Sequence, residues 1–369
     1  MLRDALETLQ DFLKALHKEP NVVVMPDFFI DRIVTPALSL DSFCRKLGEV
    51  AQRKGGSIDN MLQTDLRGGN AVNTASALAA LGANVTPIVC TDEIGCRVLR
   101  QCLRRPNVNL SHVKTLKKPS VTTALEFASK AGKVNVMLRD LGSLADFGEQ
   151  SLADRDFEAI EQADYTCVFN WAGTRKRGTA LAKAIFSRVK LRGKGKTYYD
   201  TADPTPNWNE VPEMVKEVLL GDSLDILSVN ENEAHCYASL VRRKAKESAK
   251  LPLDRSAEES ARALSTRLHT RVDLHTTSFA ATFTKNGETL VPTFDVPVSR
   301  ATGAGDAWNA GNIVGDACGL TDECRLALAN AVAAYYISSP EGEHPTPKRL
   351  EAFIGKLARR RRCGVAQAF

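Results

Sequence analysis

A Gly-Ala-Gly turn followed by an aspartate is the segment of this sequence best suited to chemistry. Residues Arg300–Asn309 read RATGAGDAWN and lead into a helix-like run. The two glycines let successive backbone N–H groups at a helix N-terminus point at a phosphate or a developing anion. A carboxylate in the first helical turn, Asp306, could accept the proton of a hydroxyl that attacks phosphorus. The pattern predicts an anion hole formed by the backbone of Gly303, Ala304 and Gly305 beside a general base. An ordinary strand-to-helix connection with an acidic cap is the alternative.

A second glycine-rich segment, Arg67–Asn73 (RGGNAVN), precedes an alanine-rich helix-like run. Its two glycines let a sugar or a flat ligand approach the backbone, and the amides of Asn70 and Asn73 can donate and accept hydrogen bonds with hydroxyl groups. This pattern suits a polyol. A tight turn with an asparagine cap is the alternative interpretation.

A third polar cluster, Asn230–Ala234 (NENEA), follows the strand-like run Ile226–Val229. Carboxylate and amide oxygens at the end of a strand suit an outer-shell or water-mediated contact with Mg²⁺, which keeps several of its waters and binds through few protein carboxylates. A helix cap with acidic residues in its first turn is the alternative.

The elements that must position these clusters alternate along the chain. Repeated strand and helix units imply a mainly parallel sheet with helices on both faces and ligands at the carboxyl ends of the strands, so the fold class is α/β. The predicted strands are Asn21–Met25, Val85–Cys90, Tyr165–Phe169, Thr197–Asp200 and Ile226–Val229, and the predicted helices are Asn73–Leu81, Arg97–Leu103, Ala180–Val189 and Val211–Leu219.

Three strand-like segments do not lead into helices: Phe28–Val34, Thr122–Phe127 and Lys133–Leu138. They predict a small accessory sheet that covers the strand ends as a lid and excludes water. We therefore expect an N-terminal helical extension over 1–19, one main domain over 20–356 with lid strands near 28–37, 56–64 and 121–139, and a basic tail over 357–369.

Composition narrows the class of protein. The chain has 369 residues, of which 43% are hydrophobic and 25% charged, and no linker-like or low-complexity segment divides it. A net charge of +5 is mild, and no basic groove interleaved with aromatic residues appears, so nucleic acid is not the expected partner. The basic run Arg359–Arg362 is read as the solvated last turn of a helix.

Nine cysteines, an odd number with no Cys-x-x-Cys pair, predict reduced thiols in a cytoplasmic protein. Residues 1–19 have amphipathic helix periodicity instead of a signal-peptide core, and no run is long enough to span a membrane. The expected partners are a small-molecule substrate and a nucleotide, with no membrane.

The three clusters, in their order along the chain, resemble those of the ribokinase-like, or PfkB, family of carbohydrate kinases. Gly68–Gly95 resembles the first signature of the family and Ala301–Gly311 the second, and the Asn-x-x-Glu motif lies between them at Asn230 and Glu233. The resemblance extends from about Val22 to about Ile354. It implies a ribokinase-like three-layer sandwich and transfer of the γ-phosphoryl group of ATP to a hydroxyl of a sugar, a nucleoside or a similar alcohol, with Mg²⁺ on the nucleotide.

The resemblance also implies roles for individual residues. Asp306 matches the catalytic base, and Gly303–Gly305 matches the anion hole. Substrate contacts are implied for Asp31, Gly69 and Asn73, and Asn70 is added to them because its amide can bond with hydroxyl groups. Nucleotide contacts are implied for Asn230, Thr302 and Asn330, with Glu233 as an indirect Mg²⁺ ligand. For Asn330 a helix-packing amide is equally compatible, and Asp200, at a strand end, stays outside the predicted site because the family's companion residues do not follow it.

Two departures from the family pattern are informative. Family members commonly carry an aspartate at the position of Arg300, where it helps to bind a potassium-like ion. An arginine would repel such an ion, so we expect the guanidinium to supply the positive charge itself and potassium to be unnecessary; a solvent-exposed arginine is the alternative.

The second departure lies in Leu274–Thr282. There Ser278, Ala280 and Ala281 replace glycines of the nucleotide loop, which leaves the identity of the phosphoryl donor open. His275 in this segment is read as a core histidine.

Several alternatives stay open. A nucleoside acceptor would need aromatic residues in the pocket, and Phe28, Phe29 and Trp171 are candidates, but core packing explains them equally well. A catalytically silent relative that only binds ligands is a further possibility. Lid strands could pair edge to edge in a homodimer, or the N-terminal helix could cover that edge.

Overall fold

A parallel sheet runs through the centre of the molecule. The computed structural model describes residues 2–16, 18–129, 132–174, 176–241, 253–300 and 302–362. Its strands are β1 (Asn21–Met25), β2 (Phe29–Pro36), β3 (Met61–Gly68), β4 (Asn84–Pro87), β5 (Cys90–Thr91), β6 (Lys114–Thr115), β7 (Ser120–Ser129), β8 (Gly132–Asp140), β9 (Tyr165–Phe169), β10 (Lys196–Asp200), β11 (Ile226–Val229), β12 (Arg271–His275), β13 (Phe279–Thr284) and β14 (Gly287–Pro292).

Helices cover both faces of this sheet. They are α1 (Leu2–Lys14), α2 (Leu40–Gln52), α3 (Asn70–Ala80), α4 (Glu93–Cys102), α5 (Asp154–Gln162), α6 (Gly178–Arg192), α7 (Val211–Met214), α8 (Glu231–Val241), α9 (Leu253–Arg267), α10 (Ala304–Ala317), α11 (Asp322–Ser338) and α12 (Pro347–Arg362). A π-helical turn, Val215–Leu219, continues α7.

The eight strands of the central sheet have the order β14-β13-β12-β11-β10-β9-β1-β4. The six from β12 to β4 are parallel, and β13 and β14 join antiparallel at one edge. Side chains of β1 alternate between two cores: Val22 and Val24 pack on one face, and Val23 and Met25 on the other. A strand buried on both faces needs an unbroken apolar run, which explains why NVVVM predicts it so clearly.

A smaller sheet, the lid sheet, has the order β3-β2-β7-β8. Within it β2 and β7 are parallel, and the outer pairs are antiparallel. The strand expected near 56–64 is instead Met61–Gly68, because most of its side chains are exposed and no buried face marks its bounds. Helix α2, Leu40–Gln52, which lies between β2 and β3, was not predicted from the sequence.

Two further boundaries differ from expectation. Helix α3 begins at Asn70 and not at Asn73, which brings both asparagines into its first turn. The single strand expected over Val85–Cys90 is divided into β4, which ends at Pro87, and β5. Proline has no N–H to donate to a strand ladder, which is consistent with a strand end at this position.

Helix α1 packs against α11 and α12 through the buried side chains of Leu6, Leu9 and Leu13. The N-terminal helix therefore contributes to the main core. At the other end of the chain α12 continues to Arg362, so Arg359–Arg362 forms its last turn, and residues 363–369 lie outside the described part.

Candidate active site

The N-terminus of α10 lies at the carboxyl ends of the parallel strands and is formed by the glycine turn. Gly303 precedes the helix with a φ of 88°, a left-handed conformation that favours glycine. A Cβ atom on Gly303 would lie 2.6 Å from the hydroxyl oxygen of Tyr336, and a Cβ atom on Gly305 would lie 3.3 Å from the His275 ring. Glycine at 303 is therefore required both by the backbone and by its surroundings. Ala301 lies outside the described residues, and Thr302 is exposed in the turn.

Asp306 occupies the first turn of α10 and is only 5% exposed. Its Oδ1 accepts a hydrogen bond from Asn70 Nδ2 at 2.9 Å, and its Oδ2 accepts one from Asn73 Nδ2 at 3.1 Å. Residues three apart share one face of a helix, so the first turn of α3 presents both amides to the carboxylate. The two glycine-rich clusters predicted separately from the sequence thus form one site.

Helix α3 is held in this position by a buried carboxylate that the sequence analysis missed. Asp27 follows β1 and accepts hydrogen bonds from the backbone N–H groups of Asn70 and Ala71, both at 2.9 Å, and from Asn170 Nδ2 at 2.8 Å. Gly69, with a φ of 93°, lets the chain pass close to the Asp27 carbonyl. An acidic residue directly after a buried strand was the available signal.

The environment of Asp306 favours its protonated form. Burial raises the pKa of Asp306 well above its usual range, and the negative charges of Asp200 and Asp27 raise it further. The amides of Asn73 and Asn70 act in the opposite direction, because they donate hydrogen bonds to the ionised carboxylate. A carboxylate with a raised pKa is a stronger base than an exposed one.

Asp200, which was not predicted as a site residue, acts on Asp306 through its charge. It ends β10, where its Oδ1 accepts a hydrogen bond from the Ala202 N–H at 3.0 Å and its Oδ2 accepts one from Asn309 Nδ2 at 2.6 Å. Asn309 lies one turn after Asp306, and its own Oδ1 accepts hydrogen bonds from the hydroxyls of Tyr198 (2.7 Å) and Ser228 (2.8 Å). Buried hydrogen bonds thus fix α10 to the ends of two strands.

Asn230 and Glu233 form a reciprocal cap at the start of α8. Asn230 donates its N–H to Glu233 Oε2 at 3.0 Å and its Nδ2 to Oε1 at 2.8 Å, and the Glu233 N–H donates to Asn230 Oδ1 at 3.0 Å. Burial raises the pKa of Glu233 well above its usual range, and the charge of Asp200 adds to the effect. The predicted capping arrangement is present at the strand end.

This arrangement fits an indirect Mg²⁺ ligand better than a direct one. Both oxygens of Glu233 already accept hydrogen bonds from Asn230, so contact with a metal through water leaves the cap intact. Within the described ranges, no group of three or more His, Cys, Asp or Glu side chains is arranged to hold a metal ion. A metal at this site would be carried largely by phosphate oxygens and water.

Asp31 lies on the lid strand β2 and faces the glycine-rich segment. A Cβ atom on Gly68 would lie 2.1 Å from its carboxylate, so the two strands approach closely at this point. Burial, together with the negative charge of Asp27, raises the pKa of Asp31. A hydrogen bond with Thr122 and the charge of the Arg139 guanidinium act in the opposite direction. Asp31 is therefore within electrostatic reach of the carboxylate that positions α3.

Asn330 lies in the core, where its polar groups all have protein partners. Its Oδ1 accepts a hydrogen bond from Trp308 Nε1 at 3.0 Å, and its Nδ2 lies 3.1 Å from the Pro292 carbonyl and 3.3 Å from that of Val291. These contacts agree with the helix-packing alternative for this residue.

His275 ends β12 beside the glycine turn. Its ring packs on Trp308 with 5.0 Å between centroids, as expected of a core histidine. Its Nε2, however, is buried without a hydrogen-bond partner among the described residues. Burial lowers the pKa of His275, so the ring is neutral near pH 7.

Arg300 is packed against the protein and does not extend into solvent. Its Nη2 donates to the Pro340 carbonyl at 3.0 Å, and its Cζ lies 5.7 Å from the centre of the Tyr336 ring. A Cβ atom on Gly342 would overlap the guanidinium, so the loop after α11 closes around this side chain.

Comparison with known proteins is consistent with this architecture. The model of the "pfkB family carbohydrate kinase" matches residues 38–349. No curated protein matched the sequence.

In the described part of the chain, no helix is both long and apolar enough to cross a membrane.

Solved structures share the fold at low sequence identity. A ribokinase from Arabidopsis thaliana, complexed with ribose and ATP, is 18% identical, with a TM-score of 0.67 over 91% of this chain and 99% of that one. A putative ribokinase II from E. coli, in complex with ATP and Mg²⁺, is 14% identical, with a TM-score of 0.70 over 92% and 99%. A nucleoside kinase from Methanocaldococcus jannaschii is 14% identical, with a TM-score of 0.62 over 92% and 99%.

Proposed function

This chain belongs to the pfkB family of carbohydrate kinases, and on that premise we propose that it transfers the γ-phosphoryl group of ATP to a hydroxyl of a sugar or sugar-like alcohol. The observation that carries the proposal is the buried Asp306 carboxylate, which follows the Gly303–Gly305 turn directly and has a raised pKa. A base and a set of free N–H groups at a helix N-terminus are thereby adjacent.

In the proposed reaction Asp306 accepts the proton of the acceptor hydroxyl while that oxygen forms a bond to the γ-phosphorus. The bond between this phosphorus and the β–γ bridging oxygen breaks, and ADP leaves. The N–H groups at the start of α10 stabilise the negative charge of the transferred group. Because Asn70 and Asn73 hold both carboxylate oxygens, the base is fixed in position before the substrate arrives.

The acceptor would lie between α3 and the lid sheet. Asp31 offers carboxylate oxygens to substrate hydroxyls from β2, and Gly69 leaves space for close approach to the backbone. Each amide of Asn70 and Asn73 has capacity for further hydrogen bonds beyond the one it donates to Asp306. Closure of the lid sheet would exclude water, which competes with the acceptor hydroxyl.

The donor phosphates would lie between the glycine turn and the Asn230–Glu233 cap. Mg²⁺ would supply charge neutralisation of the phosphates, with Glu233 and Asn230 orienting its waters. Two similar solved structures are described as complexes with ATP, which supports ATP as the donor. Ser278, which replaces a loop glycine, makes a direct comparison of ATP with other nucleotides worthwhile.

A sugar is favoured over a nucleoside as acceptor by the three candidate aromatic residues. Phe28, Phe29 and Trp171 are all buried, and the Trp171 indole donates to the Thr179 hydroxyl at 3.0 Å. Packing in the core explains these three aromatic side chains, so they need not stack on a nucleoside base. Because a solved nucleoside kinase is also similar to this chain, nucleosides are included among the acceptors to be tested.

Turnover of nucleotide with a panel of sugars, other polyols and nucleosides tests the proposal. Asp306→Asn should lower kcat for the best acceptor by about 10²- to 10⁴-fold, the usual contribution of a general base, while nucleotide affinity measured by calorimetry changes little. Asp154→Asn is the control, because Asp154 lies exposed in the first turn of α5, away from the site. Absence of turnover with every acceptor would instead support a silent, ligand-binding relative.

The same assay tests the role that we propose for Arg300 in place of a monovalent cation. Its guanidinium already donates to the Pro340 carbonyl, so a fixed positive charge is built into the loop beside the glycine turn. We expect the wild-type rate to be unchanged when potassium is replaced by choline at constant ionic strength. A large, saturable stimulation by potassium would contradict this role.

A further inference from the structure

Basic side chains collect on one side of the glycine turn, around Tyr336. The Tyr336 hydroxyl lies next to Gly303, where a Cβ atom would come within 2.6 Å of it. The Arg300 guanidinium lies over the Tyr336 ring. The His344 ring also stacks on the Tyr336 ring, with 4.6 Å between centroids and 11° between planes. The charges of Arg67, at the end of β3, and Arg105, after α4, act on His344 as that of Arg300 does. We call these four residues the arginine cluster: Arg67, Arg105, Arg300 and His344.

The members of the arginine cluster are close enough to influence one another's charge. Burial lowers the pKa of Arg67; Tyr336 and Cys102 oppose this, and the guanidiniums of Arg300 and Arg105 lower the pKa further. Burial also lowers the pKa of His344 well below its usual range, and all three arginines add to the effect. The cluster is therefore a region of mutual repulsion between positive charges.

The described residues provide no acidic partner for these charges. No carboxylate contributes to the pKa shift of Arg67 or of His344. Glu343, next to His344 in the chain, pairs with Arg349 instead. Partly buried guanidiniums without a counter-charge are costly, and proteins normally pair them.

Four polar atoms of the cluster are also buried without any hydrogen-bond partner in the described part of the chain: Arg67 Nε, Arg300 Nε, and both ring nitrogens of His344. His344 itself is only 6% exposed. Leaving buried polar atoms unpaired is unfavourable, so the two Nε–H donors and the His344 ring together indicate a missing partner. Because the neighbouring guanidiniums are positively charged, an anion is the partner that best satisfies these groups.

We propose that the arginine cluster binds an oxyanion, a phosphate or carboxylate group, beside the glycine turn. Guanidinium groups bind such anions through paired N–H donors, and the neutral His344 ring adds one further donor. Arg105 is exposed, so the arginine cluster reaches the protein surface at this residue. The anion is either a phosphate or carboxylate carried by the acceptor or a free anion that binds as an effector; only the first of these sources depends on the proposed kinase function.

Binding is measured by calorimetry with inorganic phosphate as the probe, at constant ionic strength and with a saturating non-hydrolysable ATP analogue that occupies the proposed nucleotide site. The wild type should bind phosphate saturably under these conditions. Arg67→Gln and Arg300→Gln should each weaken binding about tenfold or more, the effect of losing a charge-assisted hydrogen bond. Arg67→Lys, which keeps the charge, should recover part of the affinity.

Arg104→Gln is the matched control, since Arg104 is an exposed arginine beside Arg105 and no cluster residue senses its charge. Its phosphate affinity should equal that of the wild type. If the substitutions at the partly buried Arg67 and Arg300 prevent folding, Arg105→Gln, at an exposed position, provides the same test. Absence of saturable binding in the wild type, or equal weakening by Arg104→Gln, would overturn the proposal.

Kinetics then distinguish the two sources of the anion. If the acceptor carries it, a sugar phosphate should have a lower KM than the parent sugar, and Arg67→Gln should raise the KM of the phosphorylated acceptor alone. If it is an effector, inorganic phosphate should change the turnover of the unphosphorylated acceptor, and Arg67→Gln should abolish that response. Because phosphate binding is measured without turnover, failure of the kinase proposal would leave the calorimetric result intact.

Discussion

At the scale of single residues, the pKa of Asp306, the proposed base, depends on another carboxylate. The charge of Asp200 raises the pKa of Asp306, and a general base acts only in its ionised form. The rate should therefore fall as the pH drops through this raised pKa, at a pH above that of an ordinary aspartate.

Asp200→Asn removes the negative charge and should lower the pKa of Asp306, which moves the acid limb of the pH–rate profile to lower pH. The profile of kcat against pH, measured with one acceptor for both proteins, checks this. Asp203→Asn is the control. It removes a nearby carboxylate, whose hydrogen bonds in the described part of the chain come from the backbone and side chain of Thr205. An equal displacement by both substitutions would contradict a specific effect of Asp200.

The residues of the site were predictable to different extents. Asp306 and the glycines were predicted from their order at a helix start and from the resemblance of Ala301–Gly311 to a family signature, because an acidic cap alone would explain the same residues. Asp27 was missed because its partners, Asn70 and Asn170, are distant in sequence. Arg300 was recognised as a departure, but its contacts with Pro340 and Tyr336 are visible only in the folded chain.

At the scale of elements, α10 offers a matched pair of glycines. Gly303 precedes the helix with a φ of 88°, and Gly319 follows it with a φ of 75°. A Cβ atom on Gly319 meets nothing within 4 Å, whereas one on Gly303 would lie 2.6 Å from the Tyr336 hydroxyl. An alanine would thus strain the backbone at both positions, but its Cβ atom would overlap a neighbouring side chain only at position 303.

We expect Gly303→Ala and Gly319→Ala each to lose about 1–2 kcal/mol of unfolding free energy through the left-handed backbone. Only Gly303→Ala should displace the N–H groups of the proposed anion hole, with a fall in kcat of about 10²-fold or more. Urea denaturation and turnover measure the two effects. Adding Tyr336→Phe, which removes the overlapping oxygen, should restore part of the activity of Gly303→Ala; similar activity losses at both glycines would contradict the steric account.

Elements buried on both faces were predicted well, and elements of the lid were not. Strands β1, β9 and β11 have the bounds expected from their apolar runs. The lid strand β3 was placed about five residues too early because its alternating pattern is obscured when both faces meet solvent.

At the scale of the whole molecule, the edges of the lid sheet are open to a partner. The N-terminal helix, which could have covered such an edge, packs on α11 and α12 instead. Strand β3 forms one edge and exposes Leu62, which is 69% accessible, and β8 forms the other and exposes Met137 and Leu138. Exposed apolar edge strands favour pairing with a second copy.

We therefore predict a homodimer that associates through the lid sheets. Leu62→Lys should dissociate it, because a charge would be buried at the interface. Sedimentation velocity distinguishes the two states. Leu191→Lys is the control, since Leu191 is 82% exposed but lies on α6. A monomeric wild type, or dissociation by the control substitution, would contradict the prediction.

The sequence alone determined the α/β fold class, the glycine turn with Asp306 and the family of the chain. These features depend on residues that are neighbours in sequence, where steric limits and the periodicity of burial act directly. Only the tertiary structure decided which of the predicted polar residues share a site. Asp306 meets Asn70 and Asn73 across more than 230 positions, and Asn330 turns inward to Trp308. Burial and long-range contact set hydrogen-bond partners and pKa values, and neither is encoded by spacing along the chain.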